Sequence, residues 1–204
     1  MRIDESLMNK DFHLTEMTIK ENVKVQIYDN CLPLDVFRKI QDIFLGDKLP
    51  WGYNKEIVSK DFKIKSPIDG YDDDTTFQFS HGFYNISTYL WSNTTEIIVP
   101  ILDILNVKAW IRVKANLRSK NFKHLAGGWH YDIINPFTNL PHTDSITAIL
   151  YINTNNGYTL METGDKIKNI ENRLVLFPCN TLHTGIAQTD TKIKVTINFN
   201  FFSH

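Results

Sequence analysis

Lys192-Ile193-Lys194-Val195-Thr196-Ile197-Asn198-Phe199-Asn200-Phe201 alternates polar and apolar residues without a break. Successive residues of a strand point to opposite faces. Lys192, Lys194, Thr196, Asn198 and Asn200 therefore share one side, and Ile193, Val195, Ile197, Phe199 and Phe201 share the other. A half-exposed sheet with water on its polar side gives this pattern. So does a strand whose apolar side packs on helices while its polar side lines a cavity. The residues upstream favour the second reading.

The same alternation begins at Lys108, where Ala109, Ile111, Val113, Ala115 and Leu117 interleave with Trp110, Arg112, Lys114 and Asn116. Further strands are expected over residues 129–133, 146–153, 158–162, 173–177 and 192–202. Turn clusters separate them, the clearest being Asn153-Thr154-Asn155-Asn156-Gly157. Many short strands broken by turns favour a sandwich, barrel or jelly roll. The first half reads differently. Pro33-Leu34-Asp35 opens a helix with Val36, Phe37, Ile40, Ile43 and Phe44 on one face, and Gly46 stops it. Residues 86–105 read as a second helical stretch that Pro100 kinks or divides. Residues 60–74, with Pro67, Gly70 and three consecutive aspartates, read as a mobile surface loop. The fold expected is α+β: a jelly-roll core over about residues 108–204, braced by helical and irregular support over about 1–107, in a single domain.

Composition narrows the class. A chain of 204 residues is long enough for one well-buried domain, and 42% hydrophobic with 22% charged residues is ordinary for a globular protein. A net charge of −1 gives no electrostatic case for nucleic acid or an acidic membrane surface. Cys31 and Cys179 form no C-x-x-C pair, which points to free thiols in a reducing interior. No apolar run approaches a bilayer span, and the first residues lack the apolar core of a signal peptide, so a cytoplasmic protein is expected.

The chemistry lies in Gly127-Gly128-Trp129-His130-Tyr131-Asp132 and Leu182-His183-Thr184-Gly185. Residues two apart on a strand share a face, so His130 and Asp132 can grip one metal together, with His183 supplied by a later strand. Two imidazoles and a carboxylate suit iron(II), because they fill one face of an octahedron and leave positions open for a cosubstrate and oxygen. A second H-x-D, His142-Thr143-Asp144, runs straight into the strand at 146 with no room for a reversal, so it is the weaker pair and reads as a solvated loop. Taken with this site, the polar face of the last strand becomes a cavity wall. A lysine there, nine or eleven residues after His183, would pair with a carboxylate ligand.

Together these residues resemble the signature of iron(II)- and 2-oxoglutarate-dependent oxygenases, especially prolyl-hydroxylase-like members and small oxygenases encoded by marine phages. The resemblance spans about residues 109–202, with Arg112-Val-Lys-Ala-Asn-Leu117, Ala148-Ile-Leu-Tyr-Ile-Asn153, Asn172-Arg-Leu-Val-Leu-Phe177 and Lys194-Val-Thr-Ile-Asn-Phe199 agreeing with it. It implies a double-stranded β-helix with iron held by His130, Asp132 and His183. By position, Lys192 matches the basic residue that pairs with the distal carboxylate of 2-oxoglutarate, with Lys194 on the same face as the alternative. Tyr151 matches the tyrosine that hydrogen-bonds that carboxylate, while Thr196 and Asn116 match further cosubstrate contacts. Arg112 and Lys114 read as surface charges, and Trp129 and Tyr131 as residues packing beside the metal strand. The implied cofactors are iron(II), 2-oxoglutarate and O2, with ascorbate in support. The implied reaction is hydroxylation of an aliphatic carbon in a protein, peptide or small molecule, a peptidyl proline first among them. Residues 77–84 and 60–74 read either as a lid over the substrate or as plain surface loop. A cupin-like metalloprotein with hydrolase or isomerase chemistry and no 2-oxoglutarate is the alternative.

Overall fold

Alternation carries further along the chain than expected. The computed structural model describes residues 3–20, 23–58, 64–70, 77–135 and 137–202. Ahead of position 108 it contains β1 (His13–Lys20), β2 (Val23–Asp29), helix α1 (Leu34–Leu45), β3 (Gly52–Asn54), β4 (Gln78–Asn85), β5 (Leu90–Trp91) and helix α2 (Val99–Leu105). Beyond it come β6 (Ala109–Ser119), β7 (Ser145–Tyr151), β8 (Tyr158–Met161), β9 (Lys166–Lys168), β10 (Arg173–Pro178), β11 (His183–Ile186) and β12 (Ile193–Phe202).

Two antiparallel sheets form a jelly roll. The larger runs β1-β2-β10-β7-β12-β6-β4-β3, with β5 on β4, and the smaller runs β11-β8-β9. β12 lies between β7 and β6, with Thr196 opposite both Tyr151 and Asn116. Its apolar side, with Val195, Ile197, Phe199 and Phe201, packs against Phe37, Ile40 and Phe44 of α1 and Ile101 and Ile104 of α2 in one buried core. On the opposite side Ile149, Tyr151, Val175 and Phe177 of the large sheet meet Met161 and Ile167 of the small one. Burial of these side chains, at about 1.5–3 kcal/mol each, supplies the main driving force for the layering.

The expected helix α1 forms as read, with Phe37, Ile40 and Phe44 inward and the Gly46 N–H capping Asp42 O at 3.1 Å. Several expectations are corrected. Residues 86–105 are not one helical stretch: only Val99–Leu105 is α-helix, following a 3-10 turn at Thr95–Ile98. Pro100 sits in the first turn of α2, where its missing N–H costs nothing, so it starts the helix and does not kink one. Nor is the first half a helical support apart from the sheet. β4, covering most of residues 77–84, pairs with β6 from Phe79↔Leu117 to Asn85↔Arg112, so this segment is sheet and not lid. Residues 129–133 form isolated bridges and no continuous strand; β9 was not expected, whereas β11 is the later strand expected to supply His183. Of the loop at 60–74, residues 64–70 are described and the others lie outside the described residues. Within it Ile64 bridges to Trp129. Among the described residues no helix is long and apolar enough to cross a membrane.

Candidate metal centre

His130 and His183 meet backbone to backbone. The N–H of each donates to the carbonyl of the other, at 3.1 and 3.2 Å, which brings the ring centroids to 4.7 Å. Each ring is oriented by a backbone carbonyl two residues before it. His130 Nδ1 lies 2.9 Å from Gly128 O, and His183 Nδ1 lies 2.9 Å from Thr181 O. A carbonyl can only accept, so each Nδ1 carries the proton and each Nε2 keeps its lone pair for a metal. Gly128 adopts φ +100°, a conformation L side chains rarely hold, and its carbonyl is the one that receives His130.

Asp132 completes the group, its Oδ1 3.7 Å from His130 Nε2 and its Oδ2 3.8 Å from His183 Nε2. The three donor atoms lie within 4.8 Å of one another. Burial alone would raise the Asp132 pKa, but its contact with His130, then the neighbouring His183 and Arg112, outweigh it and hold the carboxyl well below its usual range. Burial pushes His183 down to about 4 despite the attraction of Asp132, so this imidazole is neutral at physiological pH. Two imidazoles and a carboxylate with converging donor atoms are a set that fits a divalent first-row metal. His142 and Asp144 do not join the group. His142 meets Phe202 edge to face, and the Asp144 carboxylate receives the Thr143 hydroxyl on the surface.

Behind the triad stands a buried polar network. Thr147 donates to Asp132 Oδ2 at 2.7 Å, and Asn200 Nδ2 donates to Thr147 Oγ1 at 3.0 Å. Arg112 reaches Asp132 Oδ1 at 3.5 Å while its Nε donates to Asn200 Oδ1 at 3.1 Å.

The triad opens on a cavity of about 440 Å³ whose wall is the polar side of β6 and β12. Register arranges this wall in rows: Arg112 opposite Asn200, Lys114 opposite Asn198, Asn116 opposite Thr196, and Arg118 opposite Lys194. Asn116 donates to Asn198 Oδ1 at 3.1 Å, and its own Oδ1 is buried without a partner. Lys194 is buried and donates to Ile186 O at 2.9 Å; burial, then the neighbouring Arg118, pushes its pKa down to about 7. Lys192, the residue favoured from position, precedes β12 and is exposed outside the cavity. Of the two lysines only Lys194 lines the cavity, because the inward polar face of β12 begins there. Tyr151 is fully buried, and its hydroxyl meets Thr159 Oγ1 at 2.7 Å, so it borders the cavity through the threonine. Arg112 and Lys114, read as surface charges, line the cavity instead. Asn198 lies on the cavity wall as the polar face of β12 predicts, whereas Arg118 and Thr147 were missed, although the alternation of β6 already places Arg112, Lys114, Asn116 and Arg118 on one side.

No family model and no curated protein matches this chain. Solved structures do. An oxidoreductase of the 2OG-Fe(II) oxygenase family from Burkholderia pseudomallei superposes with a TM-score of 0.55 at 12% identity, over 87% of this chain and 85% of that one. A non-heme alpha-ketoglutarate-dependent epimerase of nogalamycin biosynthesis gives 0.52 at 9% identity, over 87% and 77%. A prolyl hydroxylase from Trichoplax adhaerens, in complex with a hypoxia inducible factor peptide fragment, gives 0.51 at 14% identity, over 87% and 83%. The chain therefore has the jelly-roll fold of the 2-oxoglutarate- and iron(II)-dependent oxygenases.

Proposed function

We propose that this chain is an iron(II)- and 2-oxoglutarate-dependent dioxygenase that hydroxylates an aliphatic carbon. One observation carries the reading: His130 Nε2, His183 Nε2 and the Asp132 carboxylate converge on the same cavity that Lys194 lines. Bound iron(II), with 2-oxoglutarate and oxygen, supplies the oxidising chemistry. The residues of the chain hold and orient. The carbonyls of Gly128 and Thr181 keep Nδ1 protonated on each histidine, so that Nε2 faces the metal. Thr147 and Arg112 hold Asp132 ionised and fixed in direction. The Lys194 ammonium pairs with the distal carboxylate of 2-oxoglutarate, a charge-assisted contact that selects a dicarboxylate. Asn116, Thr196 and Thr159, the last steadied by Tyr151, offer hydrogen bonds along the same molecule. Ile111, Ile133, Ile134 and Ile149 give the cavity apolar walls that exclude water. The described residues act as one catalytic unit, because strands from both halves of the chain build the sheet that carries the site.

A peptidyl proline and a small metabolite are the two substrate classes to separate. Incubation with iron(II), ascorbate and 2-oxoglutarate, across proline-containing peptides and small metabolites, is expected to release succinate and add one oxygen to the accepted compound. Absence of 2-oxoglutarate-dependent turnover and of metal-dependent 2-oxoglutarate binding would overturn the assignment.

A further inference from the structure

Four cations, Arg112, Lys114, Arg118 and Lys194, line the cavity, and among the described lining residues Asp132 is the only acid. A divalent iron and a doubly charged 2-oxoglutarate cancel each other, so loading the site leaves this excess of positive charge in place. Three of the cations have contacts. Arg112 is shared between Asp132 and Asn200, Arg118 donates to Gly185 O at 2.9 Å, and Lys194 donates to Ile186 O at 2.9 Å. Lys114 is different: among the described residues neither a hydrogen bond nor an ion pair holds its half-buried ammonium. Burial, and secondarily Arg112, pushes its pKa down to about 8. Even a half-buried ammonium without a partner carries a desolvation cost, which an incoming anion offsets.

Position separates Lys114 from the cosubstrate lysine. Lys114 is two residues from Arg112, about 7 Å along β6, and Arg112 touches the metal-binding carboxylate. Lys194 pairs with Arg118, four residues farther along the same strand. Neighbouring it on the wall are Asn198 opposite on β12 and Gly82 opposite on β4, neither of which brings a charge. We infer that Lys114 receives a carboxylate of the substrate to be oxidised, which makes that substrate a small carboxylic acid reacting at a carbon close to its acid group. A single free ammonium matches a single negative charge, and the adjacent Arg112 is already committed. This inference rests on the oxygenase reading and narrows its substrate from an uncharged peptidyl proline to an acid.

Isovalerate and isovaleramide, the same carbon skeleton with and without charge, form a matched probe pair. Saturation-transfer NMR on the full chain loaded with manganese(II) and 2-oxoglutarate is expected to show the acid bound in preference to the amide. Lys114→Gln should abolish that preference, Lys114→Arg should retain it, and 2-oxoglutarate affinity by calorimetry should stay within twofold in both. Equal binding of acid and amide by the wild type overturns the inference. So does a preference that survives Lys114→Gln, or a loss of 2-oxoglutarate affinity in Lys114→Gln that Lys114→Arg restores. Failure of the oxygenase reading appears separately, as absence of manganese-dependent 2-oxoglutarate binding in the wild type before any probe is added. In that case the same acid–amide comparison on metal-free protein, with and without Lys114→Gln, still decides whether Lys114 is an anion site.

Discussion

Thr147 on β7 donates its hydroxyl proton to Asp132 Oδ2 at 2.7 Å, across a buried contact between a strand of the large sheet and the bridge that carries His130. This hydroxyl fixes one carboxylate oxygen and lies itself 3.0 Å from the Asn200 amide and 3.2 Å from the Cys179 thiol. A carboxylate with such a partner is held in direction by the sheet behind it.

Thr147→Val preserves shape and removes the hydroxyl. Metal affinity is expected to fall about 10–100-fold, the usual effect of deleting a partner of a metal ligand. Titration with manganese(II) under calorimetry checks it, and unchanged affinity would mean that Asp132 is oriented by Arg112 alone.

The proposed role of Lys194 in cosubstrate binding is open to direct test. Lys194→Ala is expected to weaken 2-oxoglutarate binding by about 2–5 kcal/mol, whereas the exposed Lys192→Ala should leave it unaltered. The pH dependence follows from a pKa pushed down to about 7 in the ligand-free pocket. Below that value the ammonium is already charged. Above it the free lysine is neutral while the bound carboxylate restores its proton, so affinity should decline as pH rises past 7, with proton uptake on binding. Calorimetry at pH 8.5 in buffers of differing ionisation enthalpy measures that uptake, and its absence would remove Lys194 from the role.

The same lysine costs stability. Its folded pKa of about 7 lies below the 10.5 of an unperturbed lysine, so the unfolded chain binds more protons between those values and the Lys194 contribution to stability rises with pH across that window. Lys194→Met should therefore stabilise the metal-free protein, by about 1–4 kcal/mol at pH 6, with the gain shrinking toward pH 10. Urea unfolding of both proteins at the two pH values tests the direction. A gain that grows with pH would contradict it.

How much of this was legible in the sequence depends on the range of the contacts. Period-two alternation identified β6 and β12 and the polar face that lines the cavity, because each strand is long enough to show its pattern. The H-x-D spacing of His130 and Asp132 was readable as a local pair. The short strand β9 was not readable, being three residues with no sustained alternation, and the four-residue β11 was expected only as the strand that brings His183. Residues 86–105 carry apolar residues at helical spacing, yet Tyr89 sits at φ 53° and Leu90–Trp91 pairs with β4, so strand pairing overrode the periodicity. The cavity role of Arg112 and Lys114 depends on which face of β6 is covered by the small sheet, a tertiary fact. Lys192 and Lys194 share a face in sequence, and only the point at which β12 begins separates them.

The central claim is that His130, Asp132 and His183 hold one metal ion. Its most direct test is the metal content of wild type, His183→Ala and His142→Ala after equilibration with manganese(II) and removal of excess, with circular dichroism as the check on folding. The account predicts one equivalent in the wild type and in His142→Ala, and loss of stoichiometric metal in a folded His183→Ala. Full occupancy in His183→Ala, or loss confined to His142→Ala, would contradict it.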